Sequence, residues 1–66
     1  MRLKVNGEER ELPPEISVRD LLSELKVAAP RIAVEINRHI VPKARYSETA
    51  LREGDCVEIV GFVGGG

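Results

Sequence analysis

The stretch that most limits the fold is the pair Asn6-Gly7, which lies between two short segments of strand-like pattern. Asn and Gly tolerate the positive φ angles of a two-residue turn, so this pair is a strong hairpin signal. Before it, apolar residues occupy every second position, which is the period of a strand with one buried face. We therefore predict an antiparallel hairpin whose second strand runs from about Glu8 to Leu12 and ends at Pro13-Pro14, since proline cannot donate to a ladder.

One amphipathic helix should follow the hairpin. Ser17 is a residue type that caps helix N-termini, and Asp20 stands three positions later, as a weaker form of the capping-box partner. We expect the helix to end at Ala28-Ala29-Pro30, because the residue before a proline is disfavoured in helical geometry. The helix should cover a sheet with the apolar residues that share one of its faces, which are Val18, Leu21, Leu22 and Leu25.

Two further strands are predicted after the helix. Apolar residues alternate from Ile32 to Ile36, and Asn37-Arg38 is a plausible turn into Ile40-Val41. His39 should lie in that turn. Pro42 limits the second of these strands to a short one, and an irregular segment should then be anchored by Tyr46, Ala50 and Leu51.

The last strand decides the predicted topology. Gly54-Asp55 should form a turn that starts this strand, which runs from Cys56 to about Val63. Because the helix is a crossover connection, the last strand most economically lies parallel to the first, in the centre of the sheet. The chain is thus predicted to be an α+β domain at 1–63, with a mixed sheet of four to five strands packed on one helix and a flexible tail at 64–66.

The last strand should present two different faces. Val57 and Ile59 are assigned to the core, and Val60 and Phe62 fall on the opposite face. An exposed apolar patch beside a protruding tail suggests a docking surface, so Val60, Phe62 and Val63 are predicted to contact a partner. The alternative, that Phe62 folds back over the sheet edge, fits the sequence equally well.

The glycines at the end of the sequence suggest where the chemistry occurs. Gly64, Gly65 and Gly66 lack Cβ atoms and fit a channel too narrow for side chains, and the last six residues reach roughly 20 Å when extended. We predict that the Gly66 carboxylate is the reactive group and that a partner recognises Gly64 and Gly65. A frayed end is the simpler reading of the composition, but here the glycines follow a strand directly, with no polar linker.

Composition limits the other classes of function. The chain has 66 residues, a formal net charge of −1 and only two aromatic residues, Tyr46 and Phe62, so it lacks the basic, stacking surface of nucleic-acid binders. Its single cysteine, Cys56, excludes an internal disulfide and cannot form a zinc site alone. No apolar run is long enough to span a bilayer, and we expect a cytoplasmic protein that contacts no membrane and holds no metal.

Two side chains remain as candidates for chemistry. His39 is the only histidine, and the sequence places no cysteine or acidic cluster around it, so a solvated surface role is favoured. Cys56 should begin the last strand, where a small apolar filler is a more common role than a nucleophile.

Four stretches together resemble the ThiS family, the sulfur carrier proteins of thiamin thiazole biosynthesis, which have a ubiquitin-like β-grasp fold. The resemblance covers essentially the whole chain. The residues that carry it are Arg2 to Gly7, Ala33 to Asn37 followed by Ile40-Val41-Pro42, Gly54-Asp55, and Phe62 to Gly66.

The resemblance implies a carrier cycle. A ThiF-type adenylating enzyme uses MgATP to convert the Gly66 carboxylate to an acyl-adenylate, and sulfur from a desulfurase or persulfide protein displaces AMP to leave a thiocarboxylate. Thiazole synthase of the ThiG type then takes the sulfur. The resemblance also implies a chain that is not itself an enzyme, binds no cofactor and is a monomer when free. Independently, the chain lacks the G-x-x-x-x-G-K-[ST] phosphate-binding motif.

Three alternatives stay open at this point. The small subunit of molybdopterin synthase shares the fold and the terminal diglycine. A ubiquitin-like tag would instead form isopeptide bonds with lysines. A non-covalent β-grasp binding module would not need Gly65 and Gly66 at all.

Overall fold

The computed structural model describes residues 1–26 and 32–61. Two of the residues predicted to contact a partner, Phe62 and Val63, lie outside the described residues. So does the predicted tail at 64–66, and these assignments stay predictions. The described elements are β1 (Arg2–Val5), β2 (Glu8–Glu11), α1 (Val18–Glu24), β3 (Ile32–Ile36), β4 (His39–Val41), a 3-10 helix (Lys43–Glu48) and β5 (Cys56–Gly61).

The first hairpin is confirmed. Asn6 and Gly7 have φ angles of 52° and 83°, which is the left-handed geometry that a two-residue turn of this kind requires. β1 and β2 pair antiparallel with Val5 opposite Glu8. The pairing continues past β2, because Leu12 N–H donates to the carbonyl of Met1 at 2.8 Å.

The start of α1 is as predicted, and its end is not. Ser17 caps the helix, since its Oγ accepts a hydrogen bond from Asp20 N–H at 3.0 Å. The helix ends at Glu24, before the predicted Ala28-Ala29-Pro30. Lys26 has a φ of 57°, a left-handed conformation that cannot continue a right-handed helix. The predicted stop itself lies outside the described residues.

The topology of the sheet is confirmed, with five strands in the order β2-β1-β5-β3-β4. β5 occupies the centre, parallel to β1 and antiparallel to β3. Helix α1 packs on one face, and the buried core consists of Leu3, Val5, Leu12, Ile16, Val18, Leu21, Val34, Tyr46, Leu51 and Val57. Ile59 is half-buried beside this core, so both residues assigned to the core face of the last strand lie on it.

Three local expectations are corrected. His39 is the first residue of β4 and not part of the turn, which consists of Asn37 and Arg38 with φ angles of 51° and 71°. The segment expected to be irregular contains a 3-10 helix. Ala50 is exposed and does not anchor that segment; its backbone instead forms a bridge with Ser17.

Candidate functional site

Val60 is the one predicted docking residue that lies within the described part of the chain, and its side chain is exposed at 48%. In the antiparallel register it lies opposite Ala33 of β3. Residues directly opposite each other in a sheet share a face. Val60 follows Ile59, which packs against the core, so Val60 and Ala33 lie on the face of the sheet that points away from α1, as predicted for Val60.

The structure adds Ile40 to this face. Ile40 lies opposite Glu35 in the pairing of β3 with β4, and Glu35 lies opposite Glu58 in the pairing with β5. Ile40 is 71% exposed, and it and Val60 are the exposed large hydrophobic side chains within residues 1–26 and 32–61. We call Val60, Ala33 and Ile40 the outer patch. Sequence reasoning missed Ile40 because the face of a three-residue strand depends on its register with β3.

Two carboxylates lie next to the outer patch. Glu35 and Glu58 are directly opposite each other across β3 and β5, an arrangement of like charges that destabilises a sheet. Neither carboxylate forms an ion pair with another of the described residues. The region around the outer patch thus combines exposed apolar area with negative charge, whereas Lys4 of β1, opposite Cys56, places a positive charge farther across the same face. The outer patch therefore suits a partner surface that is apolar with a basic side chain beside it.

Side chains from two turns hold β5 in place. Asn6 Oδ1 accepts a hydrogen bond from Ile59 N–H at 2.8 Å, on the side of β1. On the side of β3, Asn37 Oδ1 accepts from Cys56 N–H at 3.0 Å and Asn37 Nδ2 donates to Asp55 Oδ1 at 3.0 Å. Both asparagines were recognised as turn residues in the sequence. Their role in fixing the last strand depends on contacts with residues far away in the chain.

The two remaining candidates for chemistry are both on the surface. His39 is exposed at the start of β4, and Cys56 is a free, exposed thiol at the start of β5. Cys56 begins the strand as predicted but does not fill the core. In the described part of the chain, no group of three or more His, Cys, Asp or Glu residues is arranged to hold a metal ion. None of the helices described there is long and apolar enough to cross a membrane.

A central parallel pair of strands, two flanking hairpins and a single crossover helix define the class of ubiquitin-like β-grasp domains. The ThiS family model matches residues 3–66, and the chain belongs to the ThiS family.

Individual relatives agree with this assignment. The sulfur carrier protein ThiS of Bacillus subtilis is 37% identical over 65 residues, which are 97% of this chain and 98% of that protein. The crystal structure of the thiamine biosynthesis protein (ThiS) from Geobacter metallireducens superposes with a TM-score of 0.88 at 38% identity, and the match covers 100% of both chains. This likeness confirms the predicted β-grasp fold.

A second kind of relative is longer. A thiazole synthase of Paramagnetospirillum magneticum is 48% identical over 66 residues, which are 100% of this chain and 20% of that protein. A thiazole synthase of Magnetococcus marinus matches over the same share of its length at 35% identity. The chain thus spans about a fifth of the length of these two relatives.

Proposed function

We propose that this chain is a sulfur carrier of thiamin biosynthesis, which bears sulfur as a thiocarboxylate at Gly66 and delivers it for thiazole formation. The observation that carries the proposal is the family match, which extends to residue 66. The Bacillus relative named as a sulfur carrier matches over nearly its whole length, which supports the same role here. The central position of β5 also supports it, because β1 and β3 hold the strand in place and so fix where the residues after it begin.

The proposed chemistry takes place at the carbonyl carbon of Gly66. The carboxylate attacks the α-phosphorus of ATP on an adenylating enzyme, pyrophosphate leaves, and an acyl-adenylate forms. The terminal sulfur of a persulfide on the donor protein then attacks the carbonyl carbon, and AMP leaves. A second thiolate cleaves the sulfur–sulfur bond, which leaves the thiocarboxylate on Gly66 and a disulfide between the two thiols. ATP and Mg²⁺ belong to the partner enzyme in this scheme.

The folded body contributes no reacting group in this proposal. A carboxylate is a poor electrophile until one oxygen becomes a good leaving group, and activation is assigned to the partner. The body presents the outer patch and holds β5, so that binding energy away from the reacting atom positions the carboxylate. The chain is therefore a co-substrate of its partners and not an enzyme.

Thiazole synthase is the partner with the most direct support. Two thiazole synthases contain a segment similar to this entire chain, so the carrier domain and the synthase occur within one polypeptide in those relatives. Domains joined in one chain in some proteins commonly bind each other as separate chains in others. We extend the proposal to a separate adenylating enzyme and a persulfide donor because the chemistry requires both functions.

The proposal is tested by intact-mass spectrometry of the unsubstituted chain. After incubation with its adenylating enzyme, MgATP and a persulfide donor, the chain should gain the mass of one oxygen-to-sulfur exchange. The new group should be lost when thiazole synthase and its substrates are added. A chain that gains no sulfur under these conditions would contradict the proposal. Isopeptide adducts on lysines without sulfur gain would instead indicate a ubiquitin-like tag.

The outer patch gives a prediction about docking. Val60→Ala and Ile40→Ala should each weaken binding to the cognate thiazole synthase about tenfold, which corresponds to roughly 1.4 kcal/mol, because each removes exposed apolar area from the outer patch. Binding is measured by isothermal titration calorimetry. Arg19→Ala, on the exposed face of α1, is the control and should bind like the unsubstituted chain. Equal affinities for all four proteins would refute a role for the outer patch.

A further inference from the structure

The backbone groups of β5 point alternately to its two neighbours, which is the rule for a strand in a sheet. Cys56 faces β3, because its N–H and carbonyl bond to Asn37. Val57 and Ile59 face β1, since the Val57 carbonyl accepts from Asn6 N–H at 2.8 Å and Ile59 N–H donates to Asn6 Oδ1 at 2.8 Å. By the same alternation, the N–H and carbonyl of Gly61 point to the side of β1.

Among residues 1–26 and 32–61, no strand lies on that side to receive them. β1 ends at Val5, and Gly7, with a φ of 83°, turns the chain away toward β2 on the far side of β1. The Asn6 side chain makes the last bond of the β1 ladder. Within the described residues, Gly61 N–H has no acceptor and the Ile59 carbonyl has no donor on this side. Within the part of the chain that the structure describes, the end of β5 is therefore an open edge of an otherwise paired central strand.

The other two edges of the sheet are protected in ways that this one is not. β2 carries four charged, exposed residues along its whole length. β4 is three residues long and is followed by Pro42. Charge, short length and proline are the usual means by which proteins prevent strands from adding to an edge. The open end of β5 ends instead in Gly61, which is exposed and uncharged.

A cleft lies beside this open edge, on the helix side of the sheet. It has a volume of about 280 Å³. Leu25 and Ile59 provide half-buried apolar walls, and Glu8 and Arg10 provide charged groups. A strand placed along this edge directs every second side chain to the helix side. One apolar side chain of such a strand would contact Leu25 and Ile59.

We propose that an extended segment of thiazole synthase adds to the open edge of β5, with its backbone bonded to Gly61 and the Ile59 carbonyl and an apolar side chain in the cleft. The Ile59 carbonyl and Gly61 N–H are an acceptor and a donor separated by the spacing of a strand. The backbone of a second strand matches this spacing, whereas a small ligand does not. The added strand lies next to the last described residue before the predicted tail, so it fixes the direction in which the tail enters the partner. This inference depends on the proposed function, which makes thiazole synthase the receiver of the tail.

Gly61 allows a matched pair of substitutions. A Cβ built on Gly61 meets nothing within 4 Å, so Gly61→Ala adds a side chain without a clash and keeps the N–H. Gly61→Pro removes the N–H. Pairing with β3 does not use that N–H. Gly61 and Ile32 form a non-hydrogen-bonded pair, in which the backbone N–H and carbonyl groups of each residue point away from the partner strand. Gly61→Pro should therefore weaken binding to the cognate thiazole synthase at least about tenfold relative to Gly61→Ala.

Amide hydrogen exchange provides a second readout that needs no substitution. Gly61 N–H should exchange rapidly in the free chain and become protected in the complex, whereas Val60 N–H, which faces β3, should be protected in both. Equal affinities of the two variants, or no added protection of Gly61 in the complex, would overturn the inference and leave the proposed function intact. Protection of Gly61 already in the free chain would overturn it too, because residues of the chain itself would then cover the edge. Failure of the proposed function is recognised separately, as absence of binding and of sulfur gain by the unsubstituted chain.

Discussion

A chain shortened by one residue, so that it ends at Gly65, is expected to gain sulfur at least about 100-fold more slowly than the full chain. The shortened chain still ends in an unhindered glycine carboxylate. Its terminal carbonyl carbon, however, falls short of the position reached by that of the full chain by roughly 3.5 Å, the length of one extended residue. A displacement of about 1 Å at a reacting centre already costs on the order of 100-fold in rate. The rate is measured by intact-mass spectrometry under the conditions given for the unsubstituted chain.

A chain of full length with Gly66 capped as an amide is the matched comparison. It keeps the reach of the tail but has no carboxylate to attack ATP, so it should gain no sulfur at all. Both altered chains should unfold at the same temperature as the unaltered one, because the buried core residues within 1–26 and 32–61 all precede residue 58. Sulfur gain at an unchanged rate by either chain would eliminate Gly66 as the reactive position.

Leu21→Ala should have the largest effect on folding. Leu21 is fully buried at 0% exposure, on the face of α1 that contacts the sheet. Removing a buried leucine side chain costs about 2–5 kcal/mol, through lost apolar contact and the cavity left behind. A domain of 66 residues is near the size at which a single core is only marginally sufficient, so this loss is a large part of its free energy of unfolding. Urea unfolding should show a lower midpoint with an unchanged slope.

Leu22→Ala is the control on the same helix turn. Leu22 is only partly buried against the core, so its replacement should cost clearly less than that of Leu21. Equal losses for the two variants would mean that the packing of α1 differs from that described. At temperatures where Leu21→Ala is still folded, it should gain sulfur at the normal rate, because Leu21 takes no part in the chemistry proposed at Gly66.

Local signals predicted most of the elements. Asn6-Gly7 indicated the first turn and Ser17 the helix start, because turn geometry and helix capping depend on residues a few positions apart. The predicted end of α1 was wrong because Lys26 adopts a left-handed conformation. A glycine usually indicates such a conformation in a sequence, and there is none at this position. Ile40 was missed as a surface residue because a strand of three residues has too little alternation to indicate which face is buried.

The sequence by itself determined the order of the strands and the helix, the core face of β5 and the family resemblance, since these depend on spacing along the chain. Only the tertiary structure decided which surfaces lie beside the end of β5. Asn6 bonds to Ile59 across a separation of 53 residues, and the register of β3 brings Ala33 beside Val60. Such pairings depend on how the helix and the sheet pack as a whole. Local pattern carries no information about such pairings. The sequence therefore predicted that Val60 is exposed, but not its neighbours Ala33 and Ile40 in the outer patch or the open edge of β5.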